Sequence, residues 1–488
     1  MPWIAYGLFS LQVALILCFV FFAFFNYVYG FASLRKPRIR RVRHSGVKVA
    51  AVIVSHNERF VLPETLAACD LLTFPNRILV LADDSDDAEI VEDLRKMAMF
   101  RGCRQVDRSQ ESLTEEGVCP NAAPVEVWES ADFVFLHRQS NDGFKGGNLR
   151  MVSRYLRNRG IKLLYLLDAD WRPQADCIER ALEVLEADDR IAFVQTKRLT
   201  LMQDLGLFQR YVLLSEEGNY YVDFEGRQVM RHPILFSGCC ALLRLDAIDS
   251  VGGFAYGHLT EDLDVSNRLW VAGWKGVYCG KVVNYGEVPF SYDHFRGQQE
   301  RWACGAGRCL RDYFLPILQS KHLTWFDKLS AIRQDAHFGA SLLTAISIVQ
   351  GLVTILWLTL QSGTYQTEYY LSLVERWQLP VFLVVYMCVL SNLLGPVLMI
   401  LAKKRRPLEL VYVPMGQWYS YSVLFTYVRG TVKGWLGSRD EWYVTPKLIR
   451  GQSGMRSSRK VGMRLINAGA CSAPVSYTHL TLPTNREV

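Results

Sequence analysis

The sequence lacks any C-x-x-C pair, although it contains 12 cysteines. The two adjacent ones, Cys239 and Cys240, are poorly placed to bridge each other. Scattered, unpaired cysteines of this kind are typical of reduced thiols facing the cytosol rather than of a disulfide framework.

The sequence also lacks a basic stripe with interleaved aromatic residues, which single-stranded nucleic acid prefers. The net charge is only +7, and the basic residues cluster beside apolar runs, at 35–43 and 403–406. Basic residues in that position are typical of the flanks of membrane spans. We therefore expect no nucleic-acid partner and expect a lipid bilayer.

Long apolar runs divide the chain. Residues 1–33 are predicted to form an N-terminal transmembrane helix, and the positive-inside rule places the following residues in the cytosol. The remaining predicted parts are a cytosolic catalytic domain (46–302), interfacial helices (303–340), a C-terminal transmembrane region (341–436) with clear spans at 341–360 and 380–402, and the segment 437–450. Residues 472–488 resemble translated sequencing-adapter sequence and are predicted to be a non-native tail. The protein is expected to be a multi-pass protein of the plasma or inner membrane or the Golgi.

The middle of the chain alternates between strand and helix patterns. Strands are predicted at 49–54, 77–82, 132–136, 162–167 and 191–195, with helical patterns between most of them, whereas 101–130 is predicted to be a loop. This alternation indicates an α/β fold with a parallel sheet. Two acidic clusters, Asp83-Asp84 and Asp168-Ala169-Asp170, follow predicted strands. They should converge, because ligands bind beyond the carboxyl ends of such strands.

Two helix starts carry further candidates. Lys145 and two glycines precede a predicted helix, where backbone N–H groups can approach an anion. Thr260-Glu261-Asp262 opens an amphipathic helix that Gly273 ends. Threonine as N-cap with acids in the first turn also has a purely structural explanation.

The stretch Gln298–Trp302 has the pattern Q-x-x-R-W and lies shortly before the C-terminal spans. The Arg301 guanidinium can fork onto a phosphate, and the Trp302 indole offers a flat face to a sugar ring. Each cluster alone is a weak signal, but their order is specific. We expect the D-x-D carboxylates to hold Mg²⁺ or Mn²⁺, Arg301 and Lys145 to neutralise a diphosphate, and Asp262 to act as general base.

These motifs, over residues 48–450, resemble the membrane-integrated family 2 glycosyltransferases of the cellulose-synthase superfamily, and most closely the cellulose-synthase-like A and C groups. The resemblance implies a GT-A (Rossmann-like) domain inserted between transmembrane helices. It also implies a processive, inverting, metal-dependent hexosyltransferase. Such an enzyme moves hexose from UDP-glucose or GDP-mannose to a β-linked glucan, mannan or glucomannan, with the chain threaded through its spans.

The resemblance also assigns roles to residues. It implies catalytic roles for Asp262 and Glu261, metal binding by Asp168 and Asp170, and acceptor binding by Trp302, Phe236, Gly238 and Cys239. It implies nucleotide or substrate binding by Ser55, Glu58, Asp83, Asp84, Lys145, Asp168, Gln298, Arg301, Trp302, Thr445 and Lys447. The segment 236–239 departs from the F-x-C-G-S motif in the order of Gly and Cys. The segment 442–447 resembles the F-x-V-T-x-K gating loop, with Trp442 in place of Phe.

Several alternatives stay open. A single span at 409–428 would put the gating-like segment outside the cytosol, so we favour a re-entrant hairpin or an interfacial segment there. A non-processive lipid glycosyltransferase, similar to ceramide glucosyltransferases, is the alternative function. A catalytically inactive membrane scaffold is a third, which the loss of a metal-binding or base carboxylate would favour.

Overall fold

The structure, a computed structural model, describes residues 3–108, 111, 113, 125–200, 206–289, 291–402 and 407–437. The predicted tail and most of the gating-like segment, including Thr445 and Lys447, lie outside these ranges.

The elements occur in the following order and carry the labels used below. They are α1 (Trp3–Ser33), β1 (Val49–Ser55), α2 (Leu62–Asp70), β2 (Arg77–Asp83), α3 (Ala88–Phe100), β3 (Arg104–Val106), β4 (Val125–Glu129), β5 (Phe133–Arg138), α4 (Phe144–Asn158), β6 (Leu163–Asp168), β7 (Arg172–Pro173), α5 (Cys177–Leu185), β8 (Ile191–Thr200), α6 (Leu207–Asn219), a π-helical turn (Tyr220–Phe224), α7 (Glu225–Met230), β9 (Ala241–Arg244), α8 (Leu245–Ser250), α9 (Glu261–Val271), β10 (Lys275–Gly286), α10 (Tyr292–Gln319), α11 (Trp325–Asp335), α12 (Gly339–Leu360), α13 (Tyr365–Ala402), a 3₁₀ turn (Pro407–Val411), α14 (Tyr412–Ser422) and α15 (Leu424–Leu436).

One sheet organises the middle of the chain, in the strand order β3-β4-β5-β2-β1-β6-β9-β8-β10-β7. The predicted α/β architecture is confirmed, and β5, β2, β1 and β6 are parallel neighbours. The five predicted strands run in one direction, as expected, but the prediction missed β9, which runs antiparallel between β6 and β8. The sheet is therefore mixed.

The predicted loop at 101–130 is also wrong at both ends, where β3 and β4 form an antiparallel edge on β5. The side chains of these strands are mostly half-buried or exposed. Their acids pair with arginines, as in the contacts of Glu126 with Arg95 and of Glu129 with Arg108. An edge strand built from ion pairs lacks the apolar alternation by which strands are recognised.

The central strands are buried on both faces, which explains their continuous apolar runs. In β1, Val49, Ala51 and Ile53 enter one hydrophobic core, whereas Ala50, Val52 and Val54 enter the other. The chain order reverses between β1 and β6, because β2 and β5 lie on one side of β1 and β6 lies on the other. Ligands in open α/β sheets bind at such a switch point. Here Ser55 and Asp168 end the two strands.

Three described helices, α1, α12 and α13, are long and apolar enough to cross a membrane. α1 covers the helix predicted at 1–33 from Trp3 onward, and α12 and α13 contain the spans predicted at 341–360 and 380–402. The third apolar block, at 409–428, consists of short helices, α14 and α15, after a 3₁₀ turn. A break of this kind favours the hairpin or interfacial arrangement over a single span.

The predicted boundary between residues 302 and 303 falls inside α10, which contains the whole Q-x-x-R-W stretch. α15 packs closely on this helix through glycines. A Cβ atom on Gly434 would overlap the carbonyl oxygen of Cys304, and one on Gly430 would lie 2.7 Å from the carbonyl oxygen of Glu300. Lys433 adds an ion pair with Glu300 at 2.8 Å. α15 therefore braces the helix that carries the motif.

Residues 39–45, after α1, form a segment that we call the strap, and it is bonded to the region around α5. The backbone N–H of Val42 donates to the carbonyl of Glu183 at 3.0 Å, and the N–H of Ser45 donates to the Glu186 carboxylate at 2.7 Å. Ile39 packs against the core. The first apolar helix is thus joined to the sheet region through α5.

We expect Gly434→Ala to lower the Tm of the detergent-solubilised protein. The added methyl group meets backbone that cannot rotate away, and overpacking costs about 1–3 kcal/mol. The matched control is Gly351→Ala in α12, where a Cβ has no heavy atom within 4 Å. Alanine there should be neutral or stabilising, by up to about 1 kcal/mol. Equal Tm shifts for the two variants would contradict the packing described for α15.

Candidate active site

A cavity of about 960 Å³ lies at the carboxyl ends of the central strands and continues between the apolar helices. Each predicted cluster contributes to its lining. The predicted site residues that line it are Ser55, Glu58, Asp84, Lys145, Asp168, Asp170, Gly238, Glu261, Asp262, Gln298, Arg301 and Trp302. The structure thus brings together residues that are up to 247 positions apart in the chain.

Asp84 anchors the wall formed by β1 and β2. Its carboxylate accepts a hydrogen bond from the buried guanidinium of Arg138 at 2.9 Å and lies 3.2 Å from the ring of His56. The hydrogen bond to Asp84 raises the pKa of His56 to about 9, although burial opposes the charge. Sequence reasoning missed both partners.

Asp83 is placed differently from its neighbour. It is fully buried, and its carboxylate accepts from Ser85 at 2.7 Å and contacts the ring of His137 at 2.9 Å. Successive residues at a strand end point to opposite faces of the sheet. Asp83 therefore stabilises the interior, while Asp84 faces the cavity.

Lys145 connects the acidic clusters. Its ammonium group donates to Asp168 and to the carbonyl of Gly238, the latter at 2.9 Å, and lies 3.8 Å from Glu261. Burial opposes its charge, but Asp168 and Glu261 raise its pKa above the usual value. Lys145 is thus held as a cation among carboxylates.

The sequence suggested that the two glycines after Lys145 let backbone N–H groups approach an anion. The structure gives these glycines a packing role instead. Both are buried inside α4. A Cβ on Gly146 would overlap the carbonyl oxygen of Ala255, and one on Gly147 would overlap that of Asp142. The N–H of Gly147 donates to the carbonyl of Gly143 at 2.9 Å. The pair serves close packing.

The helix predicted after Thr260 is confirmed, and it ends before Gly273, which has φ +87°. Thr260 occupies the N-cap position without a side-chain capping bond. One oxygen of Asp262, Oδ1, accepts from the N–H of Leu263 at 2.8 Å. A Cβ on Gly238 would lie 3.0 Å from the other oxygen, Oδ2. Gly238, with φ +86°, therefore leaves room beside Oδ2.

The two acids that begin α9 hold their protons more tightly than usual. Burial raises the pKa of Glu261 to about 7, although Lys145 opposes the shift. Burial also raises the pKa of Asp262, against the opposing effects of Lys145 and Arg301. Groups that titrate near neutral pH in a cavity are candidates for acid–base chemistry.

Two of the predicted acceptor-binding residues near Gly238, Phe236 and Cys239, lie in the interior. Phe236 is fully buried in one hydrophobic core, and Cys239 is fully buried in the other. Gly238 lies on the cavity wall between them.

The Q-x-x-R-W residues share one face of α10, because positions i, i+3 and i+4 lie together on a helix. Gln298, Arg301 and Trp302 all line the cavity. Burial lowers the pKa of Arg301, and the nearby acids Glu261, Asp262 and Asp168 counteract it. The guanidinium therefore lies within the electrostatic field of the acids.

Asp168 and Asp170 both line the cavity. Within the described part of the chain, no cluster of three or more His, Cys, Asp or Glu side chains forms a metal cage. Two carboxylates nevertheless fit Mg²⁺ or Mn²⁺, which are held by few protein oxygens and take their remaining ligands from phosphates and water.

Comparison with known proteins adds to this geometry. A model of the family described as glycosyl transferase family group 2 matches residues 163–402. The chain is 28% identical over 298 residues to probable glucomannan 4-β-mannosyltransferase 6 of Oryza sativa subsp. japonica, a match that covers 59% of this chain and 46% of that protein. It is 26% identical over 291 residues to glucomannan 4-β-mannosyltransferase 7 of Arabidopsis thaliana, covering 57% and 46% of the two chains. The chain spans about half the length of these relatives.

Among solved structures, the mannosyltransferase PcManGT from Pyrobaculum calidifontis, in complex with GDP-Man and Mn²⁺, aligns with a TM-score of 0.48 at 13% identity. The alignment covers 83% of this chain and 99% of that one. A likeness this distant carries no argument about ligands.

We expect Gly238→Ala to lower the Tm more than Gly160→Ala does. Both glycines have positive φ, so alanine at either position costs about 1–2 kcal/mol of backbone strain. A Cβ has open space at Gly160 but presses on Asp262 at Gly238. Thermal unfolding of both variants measures the difference, and equal shifts would show that Asp262 is not confined by this wall.

Proposed function

We propose that this chain, which is a family 2 glycosyltransferase of the cellulose-synthase-like kind, transfers a hexose from UDP-glucose or GDP-mannose to a growing β-linked glucan, mannan or glucomannan. The comparisons confirm the family and the enzyme class that the motifs indicated, and the structure confirms the α/β sheet. The donor, the acceptor and the residue roles below are proposals.

One observation carries the proposal: the carboxylates and the cations needed for sugar transfer line the same cavity. Loss of a nucleoside diphosphate requires neutralisation of its charge, and attack by the acceptor requires removal of a proton. Lys145 and Arg301 supply the first function, and Asp262 supplies the second. A single base and one direct displacement give inversion at the anomeric carbon.

The geometry distinguishes the two oxygens of the proposed base. Oδ1 of Asp262 is occupied by the N–H of Leu263, whereas Oδ2 faces Gly238, where side-chain atoms are lacking. We assign proton abstraction from the acceptor hydroxyl to Oδ2. The raised pKa of Asp262 makes it a stronger base than an exposed aspartate.

Asp168 and Asp170 would hold Mg²⁺ or Mn²⁺ beside the donor, where the ion would add charge at the leaving diphosphate. Ser55 ends β1, Glu58 follows it, and Asp84 follows β2, on the other side of the switch point from Asp168. These three residues would bind the nucleoside. Thr445 and Lys447 remain proposed donor contacts.

The cavity also reaches the membrane helices. Its lining includes Asn26 of α1 and Ser391 and Asn392 of α13, polar groups that suit the hydroxyls of an emerging sugar chain. With three spans, the segment after α13 would return to the catalytic side of the membrane, as a gating role for 442–447 requires. We propose a multi-pass membrane enzyme with a cytosolic catalytic domain.

A second candidate is transfer to a lipid. The same extension of the cavity is lined by apolar residues of α1 and α13, among them Phe19, Phe22 and Val389, which suit an acyl or prenyl chain. The purified protein given radiolabelled UDP-glucose or GDP-mannose distinguishes the two. A high-mass product cut by linkage-specific glycosidases supports the polymerase, and a chloroform-soluble product supports the lipid transferase.

Asp262→Asn should lower kcat for transfer by about 10²-fold or more, while UDP or GDP still binds. A general base contributes about 10²–10⁴-fold. The matched control is Asp264→Asn on the same helix, which removes the ion pair with Arg268 and should cost stability more than kcat. Radiolabel incorporation per folded molecule measures both, and full activity in the Asp262 variant would disprove its role.

Transfer should fall as the pH drops through about 7, because burial raises the pKa of Glu261 to about 7 and also raises the pKa of Asp262. Protonation of this pair removes the base. Lys145→Met should move the acidic limb to higher pH, since the Lys145 cation lowers both pKa values. The measurement is the pH profile of kcat at saturating donor, and a shift toward lower pH would contradict the assignment.

A further inference from the structure

Arg198 is a second cation of the cavity wall that no motif identified. It lies near the end of β8, is half-buried and lines the cavity. Its guanidinium carbon is 5.3 Å from the ring centroid of Trp171 and 5.4 Å from that of Tyr220. Two aromatic rings therefore fix the cation within cation–π distance.

Hydrogen bonds set its orientation further. The Nε–H of Arg198 donates to the hydroxyl of Tyr220, and Nη1 contacts the sulfur of Cys239 at 3.5 Å. The Tyr220 hydroxyl is also 3.4 Å from Oγ of Ser237, and both of these residues line the cavity. Several hydrogen-bonding groups thus meet on one patch of wall.

Separate elements build this patch. Trp171 directly follows the D-A-D cluster, and a Cβ on Gly286 would lie 2.6 Å from its ring, so glycine there makes room for the indole. Tyr220 begins the π-helical turn between α6 and α7. Such turns occur frequently at functional sites, because the extra residue redirects side chains.

The patch lies next to the proposed base. Arg198 is one of the cations that oppose the raised pKa of Asp262. Lys145 reaches the carbonyl of Gly238, whereas Arg198 reaches the side chain of the next residue, Cys239. Lys145 and Arg198 therefore contact two neighbouring residues, Gly238 and Cys239, and Gly238 lies beside Asp262.

We propose that Arg198, Tyr220 and Ser237 form a subsite for the terminal sugar of the acceptor, with Trp171 as the residue that positions the guanidinium. This inference rests on the proposed sugar transfer. Trp171 and Tyr220 are largely buried, so the sugar meets hydroxyl and guanidinium donors rather than a broad aromatic face. A neutral, hydroxyl-rich ligand matches these groups. The acceptor hydroxyl would then lie beside Oδ2 of Asp262.

The test is binding of β-1,4-linked manno- and cello-oligosaccharides to the full-length protein in detergent, measured by titration calorimetry with UDP or GDP present. Arg198→Gln should weaken oligosaccharide binding at least about tenfold, the loss of one charge-assisted hydrogen bond, and leave nucleotide affinity unchanged. Arg198→Lys should not restore it, because an ammonium lacks the planar fork. Tyr220→Phe should weaken it as well.

The matched control is Arg159→Gln. Arg159 also stacks on a tyrosine, with its guanidinium carbon 3.6 Å from the Tyr155 ring centroid, but it pairs with Glu111 and Glu129 near the edge strands. The Arg159→Gln variant should therefore be less stable than the wild type but should bind the oligosaccharides with the same affinity.

The pH profile provides a readout that a merely structural role would not move. Arg198→Gln should shift the acidic limb of the pH profile of kcat to higher pH, because it removes a cation that lowers the pKa of Asp262. Arg198→Lys keeps the positive charge and should restore the wild-type profile. Wild-type protein that transfers sugar but binds neither oligosaccharide, or equal affinity in wild type and Arg198→Gln, would overturn the subsite alone. Absence of transfer from every nucleotide sugar would overturn the proposed function itself.

Discussion

The neutralisation of buried acids by Lys145 is the interaction on which the site depends. Asp168 ends β6, whereas Glu261 and Asp262 begin α9, yet all three line one cavity. Carboxylates that are gathered and partly desolvated repel one another and are costly to ionise. Lys145 contacts Asp168 and the carbonyl of Gly238 and lies near Glu261. A single ammonium group therefore allows a strand end, a loop and a helix start to converge.

Much of this convergence was predictable, because it follows from regular geometry. The carboxyl ends of parallel strands meet at one edge, which brings Asp84 and Asp168 together across β1. Helical periodicity puts Gln298, Arg301 and Trp302 on one face. Such signals repeat at a fixed spacing, so they can be read without knowledge of the tertiary structure.

The rest depends on contacts between distant residues. Apolar content did not reveal β3 and β4, because ion pairs form that edge. The sequence Asp83-Asp84 does not say which carboxylate faces inward, since strand register decides it. The glycines after Lys145 are explained only by the Ala255 backbone that approaches them. Arg198 follows Gln195, Thr196 and Lys197 in a polar stretch of β8, and nothing in that pattern distinguishes it without its aromatic partners.

The strap that joins α1 to α5 has a mechanical consequence. Main-chain and carboxylate bonds at Val42 and Ser45 leave little slack between the first apolar helix and the sheet. The first apolar helix and the sheet region are therefore joined by a short, hydrogen-bonded segment, which limits how far the two can shift or rotate relative to each other.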